Sequence, residues 1–195
     1  SRCVGDWYNR QVLTPRMDSR IVYVSASAGD DAGGAVYAKD RPDVGPHPIF
    51  LSGPVMAFRT IDQAHSQMRS GSPDWMLLER GQVWSVSSYI DVNSGRSPTE
   101  RSVIGAYGDA AQRPSIRTGT AAGLRFFRDI RYAAVAGLAF RAHERDPNDP
   151  SFIGFDNVDS VAGFNAYADD ELTPNATILI EDSTFSFYSN NIVQG

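Results

Sequence analysis

After Pro73 the chain contains only short apolar runs, and this restricts what it can fold into more than any other feature. Residues 75–78, 82–84, 102–107, 115–117, 124–127, 133–140 and 177–187 are each strand-sized or pairs of strands, and turn residues separate them. The one clear helix signal comes earlier. Thr60 and Gln63 form a capping box, in which each side chain satisfies the other's free backbone donor. Ile61, Ala64 and Met68 then fall on one face, and Gly71 and Pro73 end the segment. The spacing predicts about three helical turns with one apolar face to bury. The lack of a second amphipathic helix argues against alternating βαβ units. A sandwich, a barrel or a solenoid remains.

Upstream, residues 1–20 lack periodicity and read as an irregular lead-in, while 21–24 (Ile-Val-Tyr-Val) is a β-branched and aromatic strand ended by Gly, Ser and Asp at 25–31. Residues 32–54 hold glycines 33, 34 and 45 and prolines 42, 46, 48 and 54, too many breakers for a regular element. Internal similarity favours the solenoid. Residues 132–140 and 177–185 share the pattern V/I-x-G/D-x-x-F, 45 residues apart, as expected if equivalent strands stack on one another. That spacing equals about two repeats, or one repeat plus a loop insertion at 142–174; the insertion, with Pro147, Pro150, Gly154 and Gly163, is the preferred reading.

Charge narrows the function classes. The net charge is -5, but 113–145 carry seven Arg against Asp129 and Glu144, whereas 146–195 carry nine acids and no Lys or Arg. Such an acidic block can be a cation site, a partner for the arginines, or solvated loop surface. A nucleic-acid partner is not expected, since neither a basic total nor a recognition motif is present. No stretch approaches the roughly 20 apolar residues of a membrane span, and residues 1–10 lack the layout of a signal peptide. The single cysteine, Cys3, rules out an internal disulfide.

Three passages carry a family resemblance. Tyr23-Val24-Ser25 before a Gly/Asp loop, then Phe58-Arg59-Thr60-Ile61-Asp62-Gln63-Ala64, then residues 74–84 with Trp75 and Trp84, resemble the opening of secreted right-handed β-helix proteins of the pectate-lyase-like superfamily. Ile104-Gly105-Ala106-Tyr107-Gly108 and Gly137-Leu138-Ala139-Phe140 extend the likeness. The resemblance implies an all-β, right-handed parallel β-helix with an N-terminal capping helix near 60–70, forming a single domain over 1–195. The cap would shield the open edge of the first repeat from pairing. A longer natural protein is expected, because 190–195 stop inside a strand-turn pattern.

The same resemblance implies an extracellular or cell-envelope, carbohydrate-active protein, with a polysaccharide lyase on an acidic, uronate-containing glycan ahead of a glycoside hydrolase. The alternative is a non-catalytic glycan-binding or adhesive module of the surface-protein or tail-fibre type. A uronate lyase needs a cation, commonly Ca²⁺ or Arg, to neutralise the sugar carboxylate, and a Lys, Arg, His or Tyr base. Arg141 and His143, between a strand and the insertion, are the candidate catalytic pair; the plainer reading pairs them with Glu144 or Asp146 on the surface. Asp146 and Asp149, and separately Glu181 and Asp182, offer hard oxygen ligands for Ca²⁺. Lys39 lies in the early loop, and the Asp169-Asp170 pair lacks the Gly-His-Gly and Arg-x-Lys of pectin hydrolases. Trp84, Tyr89, Tyr107 and Phe127 can stack on sugars or fill a core.

Overall fold

A computed structural model describes residues 13–127, 130–157, 159–167 and 177–194. The chain enters through strand β1 (Arg20–Val24), makes β2 (Val36–Ala38) and the helix α1 (Ile61–His65), and then forms only strands and short 3-10 turns. These strands are β3 (Trp75–Glu79), β4 (Val83–Ser85), β5 (Ile90–Asp91), β6 (Ser102–Tyr107), β7 (Ser115–Arg117) and β8 (Leu124–Phe127). After them come β9 (Ala133–Ala136), β10 (Ala139–Arg141), β11 (Ala162–Tyr167), β12 (Ile178–Glu181), β13 (Thr184–Ser186) and β14 (Asn190–Gln194).

From β3 onward the strands fall in rotation into three sheets. The first is six-stranded, β12-β9-β6-β3-β1-β2; the second is β13-β10-β7-β4; the third is β14-β11-β8-β5. The two four-stranded sheets are parallel, whereas the first is mixed, because β2 runs antiparallel to β1. This corrects the expected right-handed parallel β-helix with its capping helix over 60–70. The largest sheet is mixed, its antiparallel strand comes from the breaker-rich 32–54 segment, and the helix has five residues.

The helix is short for an identifiable reason. Thr60 Oγ1 does accept from Gln63 N at 3.3 Å, but the Thr60 N–H donates to Asp31 Oδ1 at 2.9 Å rather than to Gln63, so only half of the capping box forms. At the other end Asp74, fully buried, draws the chain away. Its carboxylate accepts from the backbone N–H groups of Arg20 and Arg69, each at 2.9 Å, and from the Arg69 guanidinium at 2.7 and 3.0 Å. Ile61, Ala64 and Met68 are buried as expected, in one cluster with Val22, Val24 and Met76.

The main core lies between the three sheets and takes alternate residues from each. Met76, Ile104 and Val135 come from the first sheet, Trp84, Ile116 and Phe140 from the second, and Ile90, Leu124 and Phe164 from the third. Phe140 and Phe185, partners in register on β10 and β13, stack with ring centroids 5.1 Å apart. A second core covers the opposite face of the first sheet, where the 32–57 segment brings Tyr37, Val44 and Ala57 onto Ile21, Tyr23, Trp75 and Leu77. Tyr23 donates to Pro48 O at 3.0 Å, which ties that segment down despite its lack of regular structure.

Candidate functional site

The second sheet points one set of side chains into the core and the other outward. Ser85, Arg117, Arg141 and Ser186 are in register across β4, β7, β10 and β13 on the outward face. Neighbouring strands lie about 4.8 Å apart, so Arg117 and Arg141 would repel each other without counter-charges. The β10–β11 connection supplies these. Asp149 meets Arg117 at 2.8 Å and lies 3.9 Å from Arg141, and Asp146, buried to 2 % exposure, pairs with Arg141. Arg113 pairs with Asp182 in the same manner. Of the three readings of the acidic block, partnership with the arginines is the one these side chains adopt.

Along the edge of this face, the β4–β5, β7–β8 and β10–β11 connections border an open cavity of about 420 Å³ whose wall includes Ser87, Thr118, Gly119, Thr120, His143 and Glu144. A smaller one, about 170 Å³, lies beside Trp84, Tyr89, Thr60 and Asp62, and the two share Ser85, Val86 and Ser87. Together they form one groove lined by hydroxyls, with Glu144 toward one end and Asp62 beside the aromatic rings toward the other. Tyr89 is itself capped by Arg125, whose guanidinium lies 3.7 Å from the ring centroid while binding Asp91 at 2.8 Å.

His143 is buried, not exposed, and the Gly119 N–H donates to its Nδ1 at 3.0 Å. The proton of the neutral ring therefore resides on Nε2. Burial, with Arg117 and Arg141 nearby, holds the His143 pKa below its ordinary 6.5 despite opposing pulls from Asp149 and Glu144. Gly119 has φ +61°, the left-handed region that glycine adopts freely, and a Cβ there would come within 3.2 Å of Glu144 Oε2. Behind the cavity Thr118 donates to Ala121 O at 2.9 Å, so its oxygen accepts from the Tyr188 hydroxyl at 2.9 Å. Burial pushes the Tyr188 phenol up to about 12.

The expected site residues thus occupy different settings. Arg141 and His143 do lie on the same β10-to-loop segment, but Arg141 is engaged by Asp146 and stacks 5.2 Å from the Phe187 centroid. Asp146 and Asp149, the expected Ca²⁺ ligands, are both engaged by protein groups. Each carboxylate holds a guanidinium, and their remaining oxygens accept from Asn148 N at 2.9 Å and from Ser151 Oγ at 2.7 Å. Glu181 and Asp182 lie at the β12–β13 bend, apart from that loop in the chain, with Asp182 on Arg113. Among the described residues, no three His, Cys, Asp or Glu side chains are grouped as a metal site.

Lys39 follows β2 at the edge of the first sheet, away from the groove. Trp84 and Tyr107 are core residues, at 6 % exposure each. Cys3, Asp169 and Asp170, and the Phe127 side chain, lie outside the described residues. The expected insertion at 142–174 is not all loop, since Ala162–Tyr167 is strand β11. Glu144 and Gly119 escaped the sequence reading as site residues; the Thr-Gly-Thr turn at 118–120 was the available signal.

No family model, curated protein or solved structure matches this chain. No helix among the described residues is long and apolar enough to cross a membrane.

Proposed function

We propose that the chain is a non-catalytic glycan-binding module, and that the groove over the β4–β5, β7–β8 and β10–β11 connections is its binding surface. The observation that carries this reading is the composition of the larger cavity. Hydroxyls of Ser85, Ser87 and Thr120, a neutral imidazole that donates from Nε2, and the Glu144 carboxylate line one space of about 420 Å³. This is the donor and acceptor set that recognises sugar hydroxyls, at a size typical of small-ligand sites, about 300–1,000 Å³. An extracellular or envelope location accords with a glycan ligand.

The bonding of the same residues lends the lyase reading less support. A base needs a free lone pair, but His143 Nδ1 is taken by the Gly119 N–H and Nε2 carries the proton. Protonating the ring to make an acid would set an N–H against that same Gly119 N–H. Tyr188, with its phenol raised to about 12, is no base at neutral pH. Arg141 is neutralised by Asp146 and is not free to receive a sugar carboxylate.

The test is calorimetric titration of the chain with neutral, amino and uronic oligosaccharides. At least one series is expected to bind, and Ser87→Phe, which fills the space common to both cavities, is expected to weaken binding by more than about tenfold. Heat-silent titration with all three series would overturn the reading. So would unsaturated product from a uronate polymer, which would restore the lyase.

A further inference from the structure

We infer that the larger cavity selects a sugar bearing a free amine, a hexosamine unit, over a uronate or an N-acetylated unit; this rests on the glycan-binding reading above. The argument begins from Glu144. Its half-buried carboxylate lines the cavity, close against the backbone of Gly119, and makes no hydrogen bond or ion pair among the described residues. It differs in this from Asp146 and Asp149 of the same connection, each of which holds an arginine.

The neighbouring cations are all committed elsewhere. Arg117 is on Asp149, Arg141 is on Asp146, and Arg145, next to Glu144 in the chain, donates to Phe187 O at 2.9 Å, Ser189 Oγ at 2.8 Å and Asp159 O. A carboxylated sugar entering this space would therefore meet Glu144 with no cation free to balance the two charges. An ammonium would meet a carboxylate lacking a partner, and a charge-assisted bond of that kind is worth at least a tenfold difference in affinity.

The rest of the wall completes the match. Because His143 Nδ1 is held by Gly119 N–H, its Nε2–H is a fixed donor for a ring or hydroxyl oxygen. Ser85, Ser87 and Thr120 each donate and accept, as the hydroxyls flanking an amine require. An acetyl group on the nitrogen would remove the positive charge and add bulk where Glu144 approaches the backbone.

The experiment is titration with three tetrasaccharides of equal length: β-1,4-linked glucosamine, its fully N-acetylated form, and galacturonate. Glucosamine is expected to bind about tenfold more tightly than the N-acetylated form, with galacturonate weakest. Glu144→Gln is expected to bring the ratio of the first two close to one, and Glu144→Asp, which keeps the charge, to retain part of it; thermal unfolding of both variants confirms that they fold. Equal or reversed affinity for glucosamine and its acetylated form, or an undiminished ratio in Glu144→Gln, would overturn this inference and leave the glycan-binding reading standing. Preference for galacturonate would overturn it too. Failure of every oligosaccharide to bind would overturn both.

Discussion

The first and second sheets are built by the same rotation of the chain, yet they treat their outer faces in opposite ways. Strand β3 has four consecutive buried residues, Trp75 to Leu78, and β1 has four more, Ile21 to Val24, because the 32–57 segment covers the face that would otherwise meet solvent. Strands β7 and β10 each have one buried residue between two half-exposed ones, Ile116 between Ser115 and Arg117 and Phe140 between Ala139 and Arg141. A sheet buried on both sides reads as a continuous apolar run, and a sheet with one wet face reads as alternation. The wet face is the one with freedom to carry chemistry, and the groove lies along its edge.

Substitutions in the two sheets should separate accordingly. The largest loss is expected from Tyr23→Ala in the doubly covered sheet. Tyr23 is fully buried, packs edge-on against Tyr37 and Tyr107 at 5.7 and 5.0 Å, and anchors Pro48. Removing its ring should cost about 4 kcal/mol in urea unfolding. Asp74→Ala comes next, at about 3 kcal/mol, since two backbone N–H groups lose their acceptor together with the Arg69 pairing. On the wet face Arg117→Ala should cost no more than about 1 kcal/mol, its partner Asp149 being retained by Ser151. A cost for Arg117→Ala that rivals Tyr23→Ala would erase the distinction between the sheets.

The smallest effect is in pH dependence. His143 has a folded-state pKa below its ordinary 6.5, and His65 is lowered too, chiefly by burial. The unfolded chain therefore binds more protons, and the stabilisation from neutral histidine is complete above pH 6.5 and lost as the pH falls below that value through the folded pKa. The melting temperature should decline gently below pH 6.5 in the wild type and less so in His143→Gln. A decline of equal slope in the variant would remove His143 from the account. Asp18, Asp31 and Asp149, all held below their ordinary 3.8, add a separate loss at lower pH.

Much of the sheet content was legible because strand residues announce themselves locally. The similarity between 132–140 and 177–185 is realised as pairing: Ala134 is opposite Leu179, and Phe140 is opposite Phe185. In the first sheet successive register partners lie 28, 31 and 45 residues apart, from Trp75 through Val103 and Ala134 to Leu179, so the last interval is the longest. What could not be read was long-range. Strand β2 exists because Val36 and Tyr37 find β1, against the local influence of Gly33, Gly34 and Pro42. The helix stops because Asp74, well outside it, captures Arg69. Likewise the site depends on which carboxylate each arginine reaches: Glu144 is set apart from Asp146 and Asp149 by having no such partner, and only the folded chain shows that.

The register also governs how such a chain reaches its native state. Apart from β1 with β2, the paired strands have partners between 24 residues away, as for Ile116 and Phe140, and 54 residues away, as for Ile21 and Trp75. Loop-closure entropy must be met before any of these ladders stabilises the chain, and topologies dominated by such distant pairings fold in milliseconds to seconds. Among the described strand pairs β1–β2 is the most local, so it can form early and present an edge on which β3 can assemble.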